Sequence, residues 1–272
     1  MNAPQISLPI LGFFRRIVRG YFRRHFRAVR IACAHHFTNI PANAPLIIYA
    51  NHSSWWDPMV CVLLAANLMP RRSHYAPMDA AALERYGILK RIGIFPVEMN
   101  TARGAAQFLR TGLLLLARGA VLWITPQGRF VDPRQRPLVF KPGLAKMAHR
   151  AGPSCLVLPL AIEYTFWDER LPETLLQFGQ PVRVGDSSVE QLEAQLASAL
   201  LATMNLLEHK AVARDPAAFT LLAQGSAGSG GFYALSKRLL STLSRRPYQP
   251  DHTTHPAIVS ATSPGPTRDA PR

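Results

Sequence analysis

The stretch "PLIIYANHSSWWDPMVCVLLAANL", residues 45–68, decides the fold of this chain. Its first six residues are a short apolar run that predicts a buried strand, and the run 59–68 predicts a helix. Residues 51–58 lie between them and form a polar turn. A strand, a turn and a helix in this order make a βα unit, and open α/β sheets bind ligands at the carboxyl ends of their strands. We therefore expect chemistry in the turn that holds His52.

The same alternation of strands and helices continues along the chain and predicts an α/β protein. Beyond it, 224–231 is typical of a flexible linker, 232–246 of a basic helix, and 247–272 of a disordered tail rich in Pro, Ser and Thr. The predicted strands are 94–97, 120–125 and 155–164, and the predicted helices are 80–90, 102–117, 144–150 and 189–207.

Composition narrows the class of protein. With 272 residues, 48% hydrophobic and only 17% charged, the chain does not resemble a fibrous or wholly disordered protein. Three cysteines without a C-x-x-C pair favour a reducing compartment and argue against a disulfide framework or a zinc site. No apolar run reaches the roughly 18 to 20 residues that span a bilayer, and we expect no secretion signal, because the arginines follow the first apolar stretch.

Positive charge is concentrated near the N-terminus. The formal net charge is +15, and no acidic residue precedes Asp57. From Phe13 to Cys33 the spacing is helical, with arginines on one face and aromatic and aliphatic residues on the other, although Arg24 and Phe26 break the rule. This pattern indicates a helix on an anionic membrane surface; a helix packed on its own domain is the alternative. Nucleic acid is not the expected partner, because arginines and aromatics lie on opposite faces and no RRM, KH or zinc-finger spacing occurs.

His52 and Asp57, five positions apart, are the candidate catalytic pair. A carboxylate that fixes the imidazole tautomer lets the ring take a proton from an alcohol. Spacing alone also fits a polar turn without chemistry. Since the chain has no G-x-S-x-G motif, the acceptor should be a hydroxyl of the substrate rather than a serine of the enzyme.

Four short blocks occur in a characteristic order: "NHSSWWDP" (51–58), "GIFPVE" (93–98), "TPQGRF" (125–130) followed by "FKPG" (140–143), and "VLPLAI" (157–162). Together they resemble the signatures of the PlsC-like glycerolipid acyltransferases, over roughly residues 45–165. The resemblance implies a mixed β-sheet with helices on both sides. We divide the chain into a membrane-interfacial helix at 1–36, an acyltransferase domain at 37–215, and a linker, basic helix and tail at 216–272.

The resemblance also implies a reaction. His52 would act as general base, with Asp57 as its partner, and a fatty acyl group would pass from a thioester, either acyl-CoA or acyl carrier protein, to a lipid hydroxyl. Backbone N–H groups near the turn would stabilise the oxyanion. No metal or other cofactor is expected. The protein would lie at the cytoplasmic face of the membrane as a peripheral protein, with the anionic bilayer surface as a partner.

Two blocks depart from the family pattern. The third usually reads F-P-E-G-T-R, but Gln127, Arg129 and Phe130 replace the glutamate, threonine and arginine. The second usually carries an arginine for the phosphate of the acceptor, where this chain has Glu98 and Met99. The acceptor is thus either a phosphate lipid such as a 1-acylglycerol-3-phosphate or an uncharged lipid alcohol, and a non-catalytic lipid-binding protein is a further alternative. The candidate substrate-binding residues are Asn51, Gln127, Gly128, Arg129, Arg103 and Lys141.

Overall fold

The structure, a computed structural model, describes residues 4–41 and 43–226. One compact unit comprises Met1–Trp167 and Leu171–Ser226. Of a second unit, only Asp168–Arg170 belong to the described residues. The predicted basic helix and tail, and most of the predicted linker, lie outside them.

Helices and strands alternate through most of the compact unit. The α-helices are α1 (Leu8–His25), α2 (His35–Thr38), α3 (Asp57–Leu68), α4 (Ala80–Arg85), α5 (Ala102–Ala117), α6 (Gly143–Ala151) and α7 (Val189–Ala213), with 3-10 helices at Gly87–Ile92 and Pro216–Ala218. The strands are β1 (Ala28–Ala32), β2 (Leu46–Ala50), β3 (His74–Asp79), β4 (Ile94–Val97), β5 (Val121–Ile124), β6 (Leu156–Thr165), β7 (Glu173–Phe178), β8 (Val182–Arg183) and β9 (Thr220–Gln224).

The strands form one mixed sheet, in the order β4-β3-β5-β2-β6-β7-β1-β9, with β8 paired to β6. Strand β2 lies in its centre, parallel to β5 on one side and to β6 on the other. The pairs β6–β7, β6–β8 and β1–β9 are antiparallel. A central parallel strand is covered on both faces, which explains why all five residues of β2 are apolar and buried.

Helices cover both faces of the sheet, as predicted. Ile47 and Tyr49 of β2 point into a core shared with α5, α6 and α7, whereas Leu46, Ile48 and Ala50 point into a core shared with α1 and α3. Side chains alternate between the faces of a strand, so one five-residue run supplies both cores. The predicted α/β fold, a mixed sheet flanked by helices, is confirmed.

The N-terminal prediction needs correction. The helix predicted over 13–33 is α1, which begins at Leu8 and ends at His25, and Ala28–Ala32 form strand β1. Phe26, which already broke the helical pattern, has extended backbone and is buried. Residues 28–32 gain backbone hydrogen bonds from both β7 and β9, and this pairing overrides the helical spacing.

Other boundaries also differ from those predicted. Strand β3 was not predicted, because its sequence HYAPMD has no apolar run and contains a proline. The helix predicted over 80–90 is α4 followed by a 3-10 helix, and the one predicted over 189–207 continues to Ala213. Within the described residues, no helix is long and apolar enough to cross a bilayer.

Candidate active site at the end of strand β2

The turn after β2 is held by the side chain of Asn51. Its Nδ2 donates to the carbonyl of Ile162 and its Oδ1 accepts from the Ile162 N–H, both over 2.9 Å. Ala50 pairs with Leu160 of β6 in the preceding position, so Asn51 continues the ladder through its side chain. The residue is 1% exposed, which gives it a positioning role for the turn rather than a surface for substrate.

His52 and Asp57 are in direct contact. The distance from His52 Nδ1 to Asp57 Oδ2 is 2.8 Å; 17% of the histidine side chain and 1% of the aspartate side chain are exposed. Asp57 is the first residue of α3, and Pro58 follows it in the first turn. N–H groups in the first turn have no acceptor within the helix, so the missing N–H of proline breaks no helical hydrogen bond. The N-terminal end of a helix also stabilises a negative charge. The local sequence thus places a buried carboxylate beside a partly exposed imidazole.

The Asp57 carboxylate is surrounded by donors. Oδ2 accepts from the backbone N–H groups of Ser53 and Ser54, over 2.9 and 3.0 Å, as well as facing the imidazole. Oδ1 accepts from the Tyr164 hydroxyl over 2.7 Å. Burial and the nearby Asp57 charge raise the pKa of Tyr164 well above its usual value, so its hydroxyl stays protonated and donates.

This arrangement fixes the histidine tautomer. A carboxylate oxygen that already accepts two N–H bonds can only accept from Nδ1, so Nδ1 carries the proton when the ring is neutral. Among the described residues Nε2 has no hydrogen-bond partner. Nε2 is therefore the ring atom that can take a proton from a bound molecule.

The loop after β5 fixes the backbone of His52. Gln127 Oε1 accepts from the His52 N–H over 2.8 Å, and the Val131 N–H donates to the His52 carbonyl over 2.8 Å. Gln127 is 7% exposed. Glutamate, the usual residue at this position of the third block, has the same side-chain oxygen acceptor. Because this oxygen binds the backbone of His52, Gln127 positions the histidine. The Phe130 ring lies beside the imidazole, with 4.5 Å between ring centroids.

A cavity of about 1960 Å³ opens next to His52. Both His52 and Asp57 line it, together with apolar residues of α1 and α3 such as Leu11, Phe14 and Met59. The apolar face of α1 therefore lies against its own domain, where Val18 and Phe22 are buried. A cavity of this size and lining is suited to a long apolar chain.

Cationic side chains lie near the histidine end of this cavity. Gly128, Arg129 and Lys141 line both the large cavity and a smaller pocket of about 400 Å³ beside it. Gly128 has φ +64°, and a Cβ there would meet the Lys141 side chain at 2.8 Å, which explains the glycine. Lys141 Nζ donates to Asn100 Oδ1 over 3.0 Å, and both cations are exposed.

The remaining predicted residues have different positions. Arg103 does not belong to the described lining of either cavity; its Nε lies 4.0 Å from Glu98 Oε1 on the surface. The binding role of Arg103 thus stays a prediction without support from the cavity lining. Trp56 packs against Phe26, with 4.9 Å between ring centroids, whereas Trp55 is 55% exposed and lines the large cavity.

Three backbone N–H groups of the turn already have acceptors within the protein. The N–H groups of Ser53 and Ser54 are bound to Asp57, and that of His52 is bound to Gln127. These three N–H groups are therefore not free to bind an oxyanion.

Sequence reasoning missed Tyr164. Its contact with Asp57 joins residues 107 positions apart, and only its place two residues after the fourth block hinted at a role. The described residues contain no group of three or more His, Cys, Asp or Glu side chains that could hold a metal ion.

A match to a protein family covers the site. The acyltransferase family model matches residues 32–163, a range that includes the dyad, the Gln127 loop and most of β6. A sequence comparison with curated proteins gave no match. A solved structure described as the 1-acyl-sn-glycerophosphate (LPA) acyltransferase PlsC from Thermotoga maritima is similar at 19% identity, covering 74% of this chain and 78% of that chain, with a TM-score of 0.49.

The family match thus identifies residues 32–163 as an acyltransferase domain. This range contains all four sequence blocks, as their resemblance to the PlsC-like acyltransferases predicted.

Proposed function

We propose that the protein transfers a fatty acyl group from a thioester, acyl-CoA or acyl carrier protein, to the hydroxyl of a lipid. The observation that carries the proposal is the 2.8 Å contact of His52 Nδ1 with buried Asp57 at the wall of a large apolar cavity. A base with its second nitrogen unpartnered and an adjoining apolar space are the two parts that acylation of a lipid alcohol requires.

In the proposed reaction, His52 Nε2 takes the proton of the acceptor hydroxyl as its oxygen attacks the thioester carbonyl. Asp57 stabilises the imidazolium that forms. The tetrahedral intermediate then collapses, the carbon–sulfur bond breaks, and the imidazolium returns its proton to the departing sulfur. The products are an ester and a free thiol, and the histidine is restored without a cofactor.

The donors for the oxyanion are assigned to the loop after β5. The backbone N–H groups of Arg129 and Phe130 make no hydrogen bond within the described residues, and both residues line the cavity next to His52. Donors placed before the reaction lower the barrier because they need no reorganisation when charge develops.

A phosphate-bearing acceptor, as in 1-acylglycerol-3-phosphate, is a second and more specific candidate. It is favoured by Arg129 and Lys141 at the histidine end of the cavity, where they compensate for the missing arginine of the second block. Replacing Lys141 with Met should raise KM at least fivefold for such an acceptor and leave KM for an uncharged lipid alcohol unchanged. If the substitution leaves KM for the phosphate acceptor unchanged as well, the uncharged alcohol remains as the substrate.

The N-terminal helix supplies the proposed contact with the membrane. Arg16, Arg19 and Arg23 are exposed on α1, and so are Leu8 and Phe13. This combination suits the surface of an anionic bilayer. Sedimentation with vesicles should show binding to phosphatidylglycerol that falls with added salt, and little binding to phosphatidylcholine.

A transfer assay tests the function. Purified protein, radiolabelled palmitoyl-CoA or palmitoyl-acyl carrier protein, and a panel of lysophosphatidic acid and uncharged lipid alcohols are incubated, and label is measured in extracted lipid. His52→Ala should lower transfer at least a thousandfold. The matched control is His149→Ala, since His149 is an exposed histidine at the end of α6, bound to the Ser187 carbonyl.

Two results would overturn the proposal. Transfer by His52→Ala at the rate of the unmodified protein would remove the histidine from the reaction. Tight binding of the acyl donor by both proteins without any transfer would instead assign the chain to lipid binding.

A further inference from the structure

The end of the cavity remote from His52 is cationic. Arg15 of α1, Arg71 and Arg72 before β3, and Arg118 after α5 all line it, next to His74. The acidic residues of the lining are Asp57, Asp79 and Glu98. All three lie at or beyond the carboxyl ends of strands, whereas the arginines lie at the opposite end. The described lining therefore places no carboxylate among these arginines.

Two of the arginines carry buried N–H groups without an acceptor. Arg72 clamps the loops around it, because Nε donates to the Gly119 carbonyl and Nη2 to those of Ala44 and Ala120, over 2.8 to 3.2 Å. Its Nη1 is buried and has no partner among the described residues, and neither has the buried Nε of Arg15. An unsatisfied buried donor on a charged group costs more free energy than an ordinary lost hydrogen bond.

His74 does not supply the missing acceptor. Its Nδ1 accepts from the Trp123 indole over 3.1 Å, so its Nε2 donates to the Met69 carbonyl over 2.9 Å. Burial first, and then the nearby charges of Arg72 and Arg15, lower the pKa of His74 to about 4. The ring is neutral at physiological pH, and both arginines lie close to it.

We propose that Arg15 and Arg72 bind a phosphate group at this end of the cavity. Guanidinium presents forked donors that match phosphate oxygens, and these two arginines, each with an unpartnered N–H, line a part of the wall that holds no carboxylate. The adjoining lining from α1, including Leu11 and Phe14, is apolar and suits an alkyl chain attached to the phosphate. The phosphate could come from a lipid head group or from free phosphate, which the experiment distinguishes.

This site is separate from the reaction centre. His74 and Leu46 both pair with Val121, so the cationic end is level with the start of β2. Ala50 lies four positions along the strand from Leu46, about 13 Å away, and His52 lies beyond it. In 1-acylglycerol-3-phosphate the hydroxyl and the phosphate are on neighbouring carbons, so one such molecule cannot place its hydroxyl at His52 and its phosphate here.

Calorimetric titration with three probes tests the proposal: n-decyl phosphate below its micelle concentration, inorganic phosphate, and n-decanol. No acyl donor is present, so the result is independent of the transfer reaction. Arg15→Gln should weaken binding of decyl phosphate about tenfold, and Arg15→Lys less than that, because lysine keeps the charge but not the fork. Arg24→Gln is the matched control, an exposed arginine nine positions along the same helix that does not belong to the described lining of the cavity.

A local readout accompanies the affinity. The Trp123 indole N–H, bound to His74, should shift its NMR resonance when decyl phosphate binds to the unmodified protein, but not to Arg15→Gln. Thermal unfolding by circular dichroism checks that each variant folds; Arg15 Nε has no acceptor, so its removal breaks no hydrogen bond of that atom.

The outcomes separate clearly. If Arg15→Gln loses affinity for decyl phosphate alone, the result supports the site with a lipid as its ligand. If it also loses affinity for inorganic phosphate, the result supports the site and shows that free phosphate is a sufficient ligand. Equal losses of affinity in Arg15→Gln and Arg24→Gln would overturn the proposal, because surface charge alone then explains binding. Decyl phosphate that binds no more tightly than decanol would also overturn it.

Discussion

Replacing Asp57 with Asn removes a charge while keeping the shape of the side chain. With its amide oxygen in place of Oδ2, asparagine can still accept from His52, Ser53 and Ser54, and its NH2 group can donate to the Tyr164 hydroxyl. We therefore expect the variant to fold and to bind substrate. What it loses is the negative charge next to the imidazolium that forms during the reaction.

The size of that loss follows from the geometry. Two unit charges 2.8 Å apart interact with about 6 kcal/mol at an effective dielectric constant of about 20. If half to three quarters of a unit charge has developed on the imidazole in the transition state, the barrier rises by about 3 to 4.5 kcal/mol. We expect kcat to fall by about 10² to 10³ and KM to change less than threefold.

The assay is steady-state transfer of labelled palmitate to the best acceptor of the panel, with thermal unfolding as a check on folding. Asp132→Asn is the control, because Asp132 is an exposed carboxylate on the loop after β5 whose ion pair with Arg134 is on the surface. A kcat of Asp57→Asn within a factor of ten of the unmodified enzyme would refute the role of the carboxylate.

Three further predictions concern neighbouring residues. Tyr164→Phe removes the 2.7 Å hydrogen bond to Asp57, and the transfer assay should show kcat about tenfold lower with KM unchanged; an unchanged kcat would contradict this. Gln127→Leu leaves the His52 N–H without its acceptor and should lower kcat about tenfold, whereas Gln127→Glu keeps an acceptor oxygen and should leave kcat unchanged; equal kcat values for the two variants would contradict this. The pKa of His74 is about 4 when folded and 6.5 in its ordinary state, so its contribution to stability is complete above pH 6.5 and is lost as pH falls toward 4. Urea unfolding should show that the unmodified protein has lost about 2 to 3 kcal/mol of this unfolding free energy by pH 4.5, and that His74→Gln does not show this loss. Equal losses in the two proteins would refute the prediction.

The sequence predicted those parts of the site that depend on neighbours along the chain. Residues 45–68 form the predicted strand, turn and helix, and His52 and Asp57 meet within one turn because α3 begins at Asp57. A contact over five positions needs only local geometry. The basic and apolar faces of α1 were also readable from its spacing, although the helix ends at His25.

The rest depends on pairing between distant segments. Tyr164 reaches Asp57 because β6 lies parallel to β2 in a particular register, and Gln127 reaches His52 because the loop after β5 folds over the turn. Strand β1 was read as helix because its place between β7 and β9 is decided by residues more than 140 positions away. The cluster of Arg15, Arg72 and His74 joins a helix to the start of a strand that was not predicted at all.

The position of the proton on His52 tests the central claim most directly. Nitrogen-15 NMR of the imidazole, assigned with His52→Gln and recorded at a pH at which the enzyme turns over, distinguishes the two neutral tautomers. The account predicts a protonated Nδ1 held by Asp57 and an unprotonated Nε2 that faces the cavity. A neutral ring with its proton on Nε2 would contradict it, because the only unprotonated nitrogen would then be Nδ1, which faces Asp57 and cannot reach the alcohol.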